Sequence, residues 1–282
     1  MSFLNHIDRC NNANLSAFLP LALNNKRIGW IHHTLGVELG RWPEAFAMNE
    51  HSVSMAPHAS DFDKRSSAIE PALRAFADKG LIMAWRDEPY PVMKDWGETP
   101  LMQIERAACP ALGIRSWGVH VNGYVRKNDG LHMWVAKRAS DKPTYPGMLD
   151  NMVAGGQPIG IGLQANVIKE AQEEAGIPVE LSQCAVAIGM ISYVHHREAG
   201  LSPDQMFCYD LELPLDFTPE NTDGEVEEFT LWPIAKLAET VRDTHAFKFN
   251  CNLAIIHFLI RHGVLTPDNE PDYVTLCQKL TN

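Results

Sequence analysis

The spacing of hydrophobic and polar positions changes once along the chain. Up to about residue 112 helical and strand spacings mix: LSAFLPLALNN and IGWIHHTLGVELG come first. SSAIEPALRAFADKGLI follows, with Ile69, Leu73, Phe76 and Ala77 at helical intervals, and then WRDEPYPVM. A short helix is expected over MQIERAACPALG, stopped by Pro110 and Gly113. From Trp117 strands dominate: WGVHVNGYVRK and LHMWVAKRAS, a turn-rich loop DKPTYPGMLDN, then MVAGG. Further on, AVAIGMISYVHHR, MFCYDLELPL and FTLWPI read as strands, with helices over 233–242 and 250–262 and a last short helix near the C-terminus. Strands and helices interleaved in this way predict an α/β (α+β) fold, a mixed sheet covered by helices on its faces. Residues 1–112 are expected to form a smaller α+β unit and residues 113–282 the main domain.

The most informative stretch is Gly155 to Ile177, GGQPIGIGLQANVIKEAQEEAGI. Its helical part sets Glu170 beside Glu173 and Glu174, with Asn166 one turn earlier, while Val167, Ala171 and Ala175 form an apolar face. Carboxylates spaced four apart repel by a few tenths of a kcal/mol even in water, and a hard divalent cation turns that repulsion into binding. A lone acidic helix is usually a solvated face. Here a strand end and two glycines precede it and Gly176 stops it, which is the layout of a built site.

Composition narrows the partners. With 24 basic against 35 acidic residues the net charge is −11, which disfavours nucleic acid and anionic membrane surfaces. A small anion can still bind through a metal or a few placed cations. No apolar run approaches the roughly 18 residues of a membrane span, and MSFLNHIDRCNNANLS has no cationic head with a long apolar middle, so a soluble, cytoplasmic protein is expected. The six cysteines show no zinc spacing and are expected to be reduced thiols.

The acidic stretch resembles a Nudix box, G-x5-E-x7-R-E-U-x-E-E-x-G-U, with U a bulky apolar residue. Gly155 opens it, Lys169 and Glu170 fall on the R-E pair, Glu173 and Glu174 on the E-E pair, and Gly176 and Ile177 close it. Ile161 stands where the pattern has its early Glu, Lys169 replaces the Arg, and Ala171 is small for its slot. A lysine cannot fork onto a carboxylate as arginine does, so the orientation of the ligands falls to other groups. WRDEPYPV, GVHVNGYV, KRASDKPTYPGMLDNMVAGG, DGEVEEF and FLIRHGVLTPDNEPDY are similar to the Nudix proteins that carry an extra N-terminal domain and are related to the Nudix half of thiamin pyrophosphokinases.

The resemblance implies a Nudix-type sheet between helices and hydrolysis of a diphosphate linkage with Mg²⁺, or Mn²⁺ in its place. Glu170, Glu173, Glu174 and Glu225 are the implied metal ligands, with Glu173, Glu174 and Glu225 the catalytic acids and Glu228 in reserve for Glu225. Lys137, Arg138, Asn151, Gly155 and Gly156 are the candidate substrate contacts, and Lys142 lies in the same loop. The adjacent pairs His32–His33 and His195–His196 cannot converge on one metal from a regular strand. The implied substrate is a small-molecule diphosphate, first an oxidised thiamin diphosphate analogue giving the monophosphate and phosphate. The alternatives are ADP-ribose or a nucleotide sugar, or, with turnover lost, a diphosphate-binding protein. A homodimer is compatible with the sequence.

Overall fold

The computed structural model describes residues 2–24, 26–56 and 59–281. Its N-terminal part holds a four-stranded sheet in the order Lys26–His32, Phe18–Leu23, Val53–Met55, Phe46–Met48, antiparallel except for the central pair. Helix Phe62–Asp78 begins at Asp61, whose carboxylate accepts from the Lys64 amide at 3.0 Å, and buries Ile69, Ala72, Leu73 and Phe76.

The helix expected over MQIERAACPALG is a strand, Met102–Glu105, followed by a single 3₁₀ turn, Arg106–Ala108. Met102 and Ile104 alternate into the core opposite strand Pro89–Val92. Glu105 then ends the strand by accepting from the amides of Arg86, Glu88 and Ala107 at 3.0–3.1 Å. Long-range pairing and a side-chain cap override the helical spacing of the segment.

The main domain is built on a seven-stranded mixed sheet. Strands Trp117–Lys127 and Gly130–Arg138 pair with each other only beside their turn, from Tyr124↔Met133 to Lys127↔Gly130. Beyond that point they splay, and residues 149–156 enter the gap: Leu149–Asn151 pairs with the second strand and Val153–Gly156 with the first. Gln205–Glu212 runs parallel to Trp117–Lys127, and Val186–Ser192 and Val226–Pro233 close the two edges. Helix Leu163–Ala175 covers one face through Val167, Ala171 and Ala175 on Val119, Val121 and Val153. Helices Ile234–Asp243, Cys251–Arg261 and Tyr273–Thr281 cover the other, around Phe247, Phe258 and Leu259. No helix among the described residues is long and apolar enough to cross a membrane.

One boundary differs from the expected 1–112 unit. Helix Phe3–Cys10 packs its buried Phe3, Ile7 and Cys10 into the core formed by the C-terminal helices. His6 Nε2 lies 2.6 Å from the Val241 carbonyl, and Lys279 pairs with Asp8 at 2.7 Å. The helix is amphipathic, so its apolar stripe goes where an uncovered helical surface is available rather than where the chain order would put it.

Candidate metal centre

The site lies in the gap where the sheet splays. Strand Val153–Gly156 pairs on one side only, so the amides of its other edge face the acidic helix. Glu174 takes one of them: its Oε2 accepts from the Ala154 amide at 2.9 Å. Asn166 donates to the Gly156 carbonyl at 2.7 Å and fixes the helix one turn earlier. A Cβ on Gly155 would overlap the Glu170 carboxyl group, so the glycine is there to let the acid lie against the strand backbone. Gly176, at φ 61°, ends the helix in the left-handed conformation, its amide on the Gln172 carbonyl at 3.2 Å.

Burial and mutual repulsion dominate the electrostatics. Burial, and then the charges of Glu170, Asp150 and Glu225, push the Glu174 carboxyl up to about 8, against the opposing bond from the Ala154 amide. Burial also raises Glu170, with Lys169 opposing at 3.2 Å. Glu225 goes the other way: burial would raise it, but its ion pairs with Lys142 and, at 4.0 Å, Arg86 hold it below its ordinary value. Glu173 faces outward, half exposed, and pairs with Lys169 at 2.5 Å. Lys169 therefore bridges Glu170 and Glu173 where the box has an arginine. Glu228 bonds to Thr230 at 3.2 Å on the bulged edge strand, away from this cluster.

The donor set fits a hard divalent cation. Glu174 and Glu225, which line one recess, and Glu170 beside them offer only oxygen, and a cation held there would offset the burial and the neighbouring negative charge that raise Glu174. Among the described residues the one grouping whose ligand atoms all lie within 4.8 Å of one another is His120, Asp150 and Cys251, and it suits a metal poorly. Its carboxylate already holds Arg138 at 2.8 Å and Lys248 at 3.5 Å and accepts from the Cys251 thiol. His120 Nδ1 donates to Asn151 Oδ1 at 2.8 Å.

The expected cations divide. Lys137 faces away from the recess that Arg138, Asp150, Asn151, Glu174 and Glu225 line, and pairs with Glu227 at 2.8 Å. Arg138 sits at the recess but spends all three guanidinium nitrogens inside the chain, on Asp150 and on the Tyr145 and Thr144 carbonyls at 2.8–3.0 Å. Asn151 is buried in a polar chain that stitches the splayed strands: it donates to Asn122 at 2.9 Å, and Asn122 donates to Asp210 at 3.1 Å, which Arg261 grips with both ends of its fork. Asp150, Lys248, Arg86 and Arg106 are the neighbours that sequence reasoning missed. The paired alternation LDN was the one available hint for Asp150; the others come from distant segments.

Where the sheet splays, Ala154, Glu174 and Glu225 line one recess, with Gly155 and Glu170 beside it. The chain belongs to the Nudix hydrolase family. It is 39% identical over 284 residues to Nudix hydrolase 24, chloroplastic, of Arabidopsis thaliana, and 38% identical over 291 residues to Nudix hydrolase 20, chloroplastic, of the same plant; each match covers 99% of this chain and 78% of the relative. An uncharacterized yeast protein, YJR142W of Saccharomyces cerevisiae, is 34% identical over 84% of this chain and 73% of its own. Residues 2–116 match a domain of unknown function, DUF4743. Among solved structures, DR0079 from Deinococcus radiodurans superposes with a TM-score of 0.45 at 21% identity, covering 60% of this chain and 98% of that one.

Proposed function

We propose that the protein is a Mg²⁺-dependent diphosphate hydrolase, with Mn²⁺ able to replace Mg²⁺, in which Glu170, Glu174 and Glu225 hold the metal. The observation that carries this is that Glu174 and Glu225 line one recess, with the Glu170 carboxyl packed against Gly155 next to it, in a member of the Nudix family. Bound metal supplies neutralisation of phosphoryl oxygens and of charge on the leaving phosphate. Glu174, fixed by the Ala154 amide, presents its free oxygen to the gap, and Glu170 lies against Gly155. Glu173 is the box carboxylate with solvent access, which suits it to take the proton of the attacking water as the new P–O bond forms and the bond to the leaving group breaks. The glycine pair leaves the strand edge open to the Glu170 carboxyl group and the Tyr90 hydroxyl, which pack against it. Residues 113–282, with the first helix docked on them, act as the catalytic domain, and the rest of 1–112 as a covering unit.

The substrate we favour is an oxidised thiamin diphosphate analogue, cleaved to the monophosphate and phosphate. Support comes from the resemblance of WRDEPYPV, GVHVNGYV and FLIRHGVLTPDNEPDY to proteins related to the Nudix half of thiamin pyrophosphokinases. All six cysteines are free, which suits a reducing compartment, and we place the protein in the cytoplasm; the chloroplastic label belongs to the plant relatives. A panel of thiamin diphosphate, its oxidised analogues, ADP-ribose and nucleotide sugars, assayed with Mg²⁺ for phosphate or monophosphate release, tests the reading. Turnover confined to the thiamin compounds supports it, whereas turnover of a nucleotide sugar with inert thiamin compounds overturns the substrate assignment. Absence of any turnover with a raised melting temperature in the presence of a diphosphate marks a binding protein instead.

A further inference from the structure

The catalytic domain has few cations to spare for a diphosphate. Arg138 has a bond on each of its three nitrogens, Lys248 pairs with Asp150, Lys137 pairs with Glu227 and Lys142 with Glu225. Two arginines of the N-terminal unit reach the same gap. Arg106 lies at the glycine edge: a Cβ on Gly156 would overlap the Tyr90 hydroxyl and stand 3.2 Å from the Arg106 guanidinium carbon. The Ile159 amide donates to the Pro89 carbonyl at 3.1 Å and ties the glycine loop to that strand.

Arg106 is only part-used. Its Nη1 donates to Glu88 at 2.9 Å, while Nε and Nη2 have no partner among the described residues, and the side chain is 38% exposed. The Tyr90 ring, 5.5 Å from the guanidinium, occupies the space beside Gly156 and keeps the arginine at the edge. Arg86 approaches Glu225 to 4.0 Å, too far for a hydrogen bond, and its fork has no hydrogen-bond partner among the described residues. A guanidinium with paired free donors matches two phosphoryl oxygens at once.

We propose that Arg86 and Arg106 are the groups that receive the diphosphate, so that the N-terminal unit completes the substrate site of the catalytic domain. The proposal rests on the diphosphate-hydrolase reading above. Each arginine would take phosphoryl oxygens that face away from Glu170, Glu174 and Glu225, and Arg86 would exchange its weak pairing with Glu225 for the substrate.

The test uses the full chain and methylenediphosphonate, a diphosphate mimic with an uncleavable P–C–P bridge, titrated calorimetrically with Mg²⁺ present. Arg106→Gln and Arg86→Gln are each expected to weaken binding by on the order of 10-fold or more, the scale of losing charge-assisted hydrogen bonds. The double variant is expected to lose about 100-fold, and KM in the hydrolase assay should rise more than kcat falls. Arg106→Lys, which keeps the charge and the Glu88 pairing without the fork, should fall between wild type and Arg106→Gln and covers the case in which Arg106→Gln does not fold. Wild-type affinity in a folded Arg86→Gln protein and in Arg106→Lys overturns the proposal. If those variants bind normally while the wild type still turns over diphosphates, only this assignment fails; if the wild type neither binds the mimic nor cleaves any diphosphate, the functional reading fails with it.

Discussion

The two sides of the gap are neutralised very differently. The acidic side comes from a helix of 13 residues and one loop glutamate: burial, with neighbouring negative charge, raises Glu170 and Glu174, while Lys142 and Arg86 lower Glu225. On the basic side, Arg138 bonds Asp150 and the Tyr145 and Thr144 carbonyls and Lys248 pairs with Asp150, whereas among the described residues Arg106 makes one side-chain bond and Arg86 none. Arg138 lines the recess and Arg106 lies beside Gly156, and they differ in how many of their donors are already taken. What a cation near a site can do depends on the donors it has left.

The sharpest way to break that contrast is at Arg138. Arg138→Gln leaves Asp150 buried with Lys248 as its remaining charge partner, and should destabilise the fold by about 3–5 kcal/mol in urea unfolding. A loss under about 1 kcal/mol would mean that Arg138 is available to substrate after all. Gly155→Ala comes next: its Cβ must displace the Glu170 carboxyl group, costing about 1–3 kcal/mol of stability. Turnover should drop by on the order of 10-fold or more. Unchanged turnover would detach Glu170 from the chemistry.

The pH dependence probes the acidic side alone. With metal chelated, folded Glu174 keeps its proton up to about 8, while the unfolded chain releases it near the ordinary carboxylate value of 4.5. The folded state then holds the extra proton, so this contribution to stability is full below that lower value and is lost as pH rises toward 8. Melting temperature should fall over that window and the slope should flatten in Glu174→Gln; the same slope in both proteins would rule out Glu174 as its source. The smallest effect belongs to Lys137, exposed and paired with Glu227: Lys137→Ala should leave melting temperature unchanged and activity within about twofold. A large rise in KM would return Lys137 to the substrate site.

How much of this was legible followed from how the parts are arranged along the chain. The acidic helix, its closing glycine and the glycine pair before it form one contiguous stretch, so spacing set Glu170, Glu173 and Glu174 together and the resemblance placed Gly155 at its opening, although Glu173 turns out to face solvent. The strands of the main sheet showed in their alternation, but the wedge of residues 149–156 between two splayed strands did not, because it depends on pairing with both neighbours. Arg138 read as a phosphate fork since its bonds run to backbone carbonyls and a carboxylate, which sequence does not reveal. Segment 102–108 carried helical spacing that Glu105 and strand pairing defeat. Arg86 and Arg106 were invisible as site residues for the same reason that they now matter: they come from another folded unit, and their chain neighbours say nothing about Gly156 or Glu225.

Glu174→Gln, assayed together with calorimetric Mg²⁺ titration, addresses the acidic centre most directly. The geometry predicts kcat lower by on the order of 10² or more, clearly weakened Mg²⁺ binding, and an intact fold, since the side-chain amide oxygen can still accept from the Ala154 amide. Turnover near the wild-type value with unchanged Mg²⁺ affinity would contradict the assignment of this helix as the metal centre.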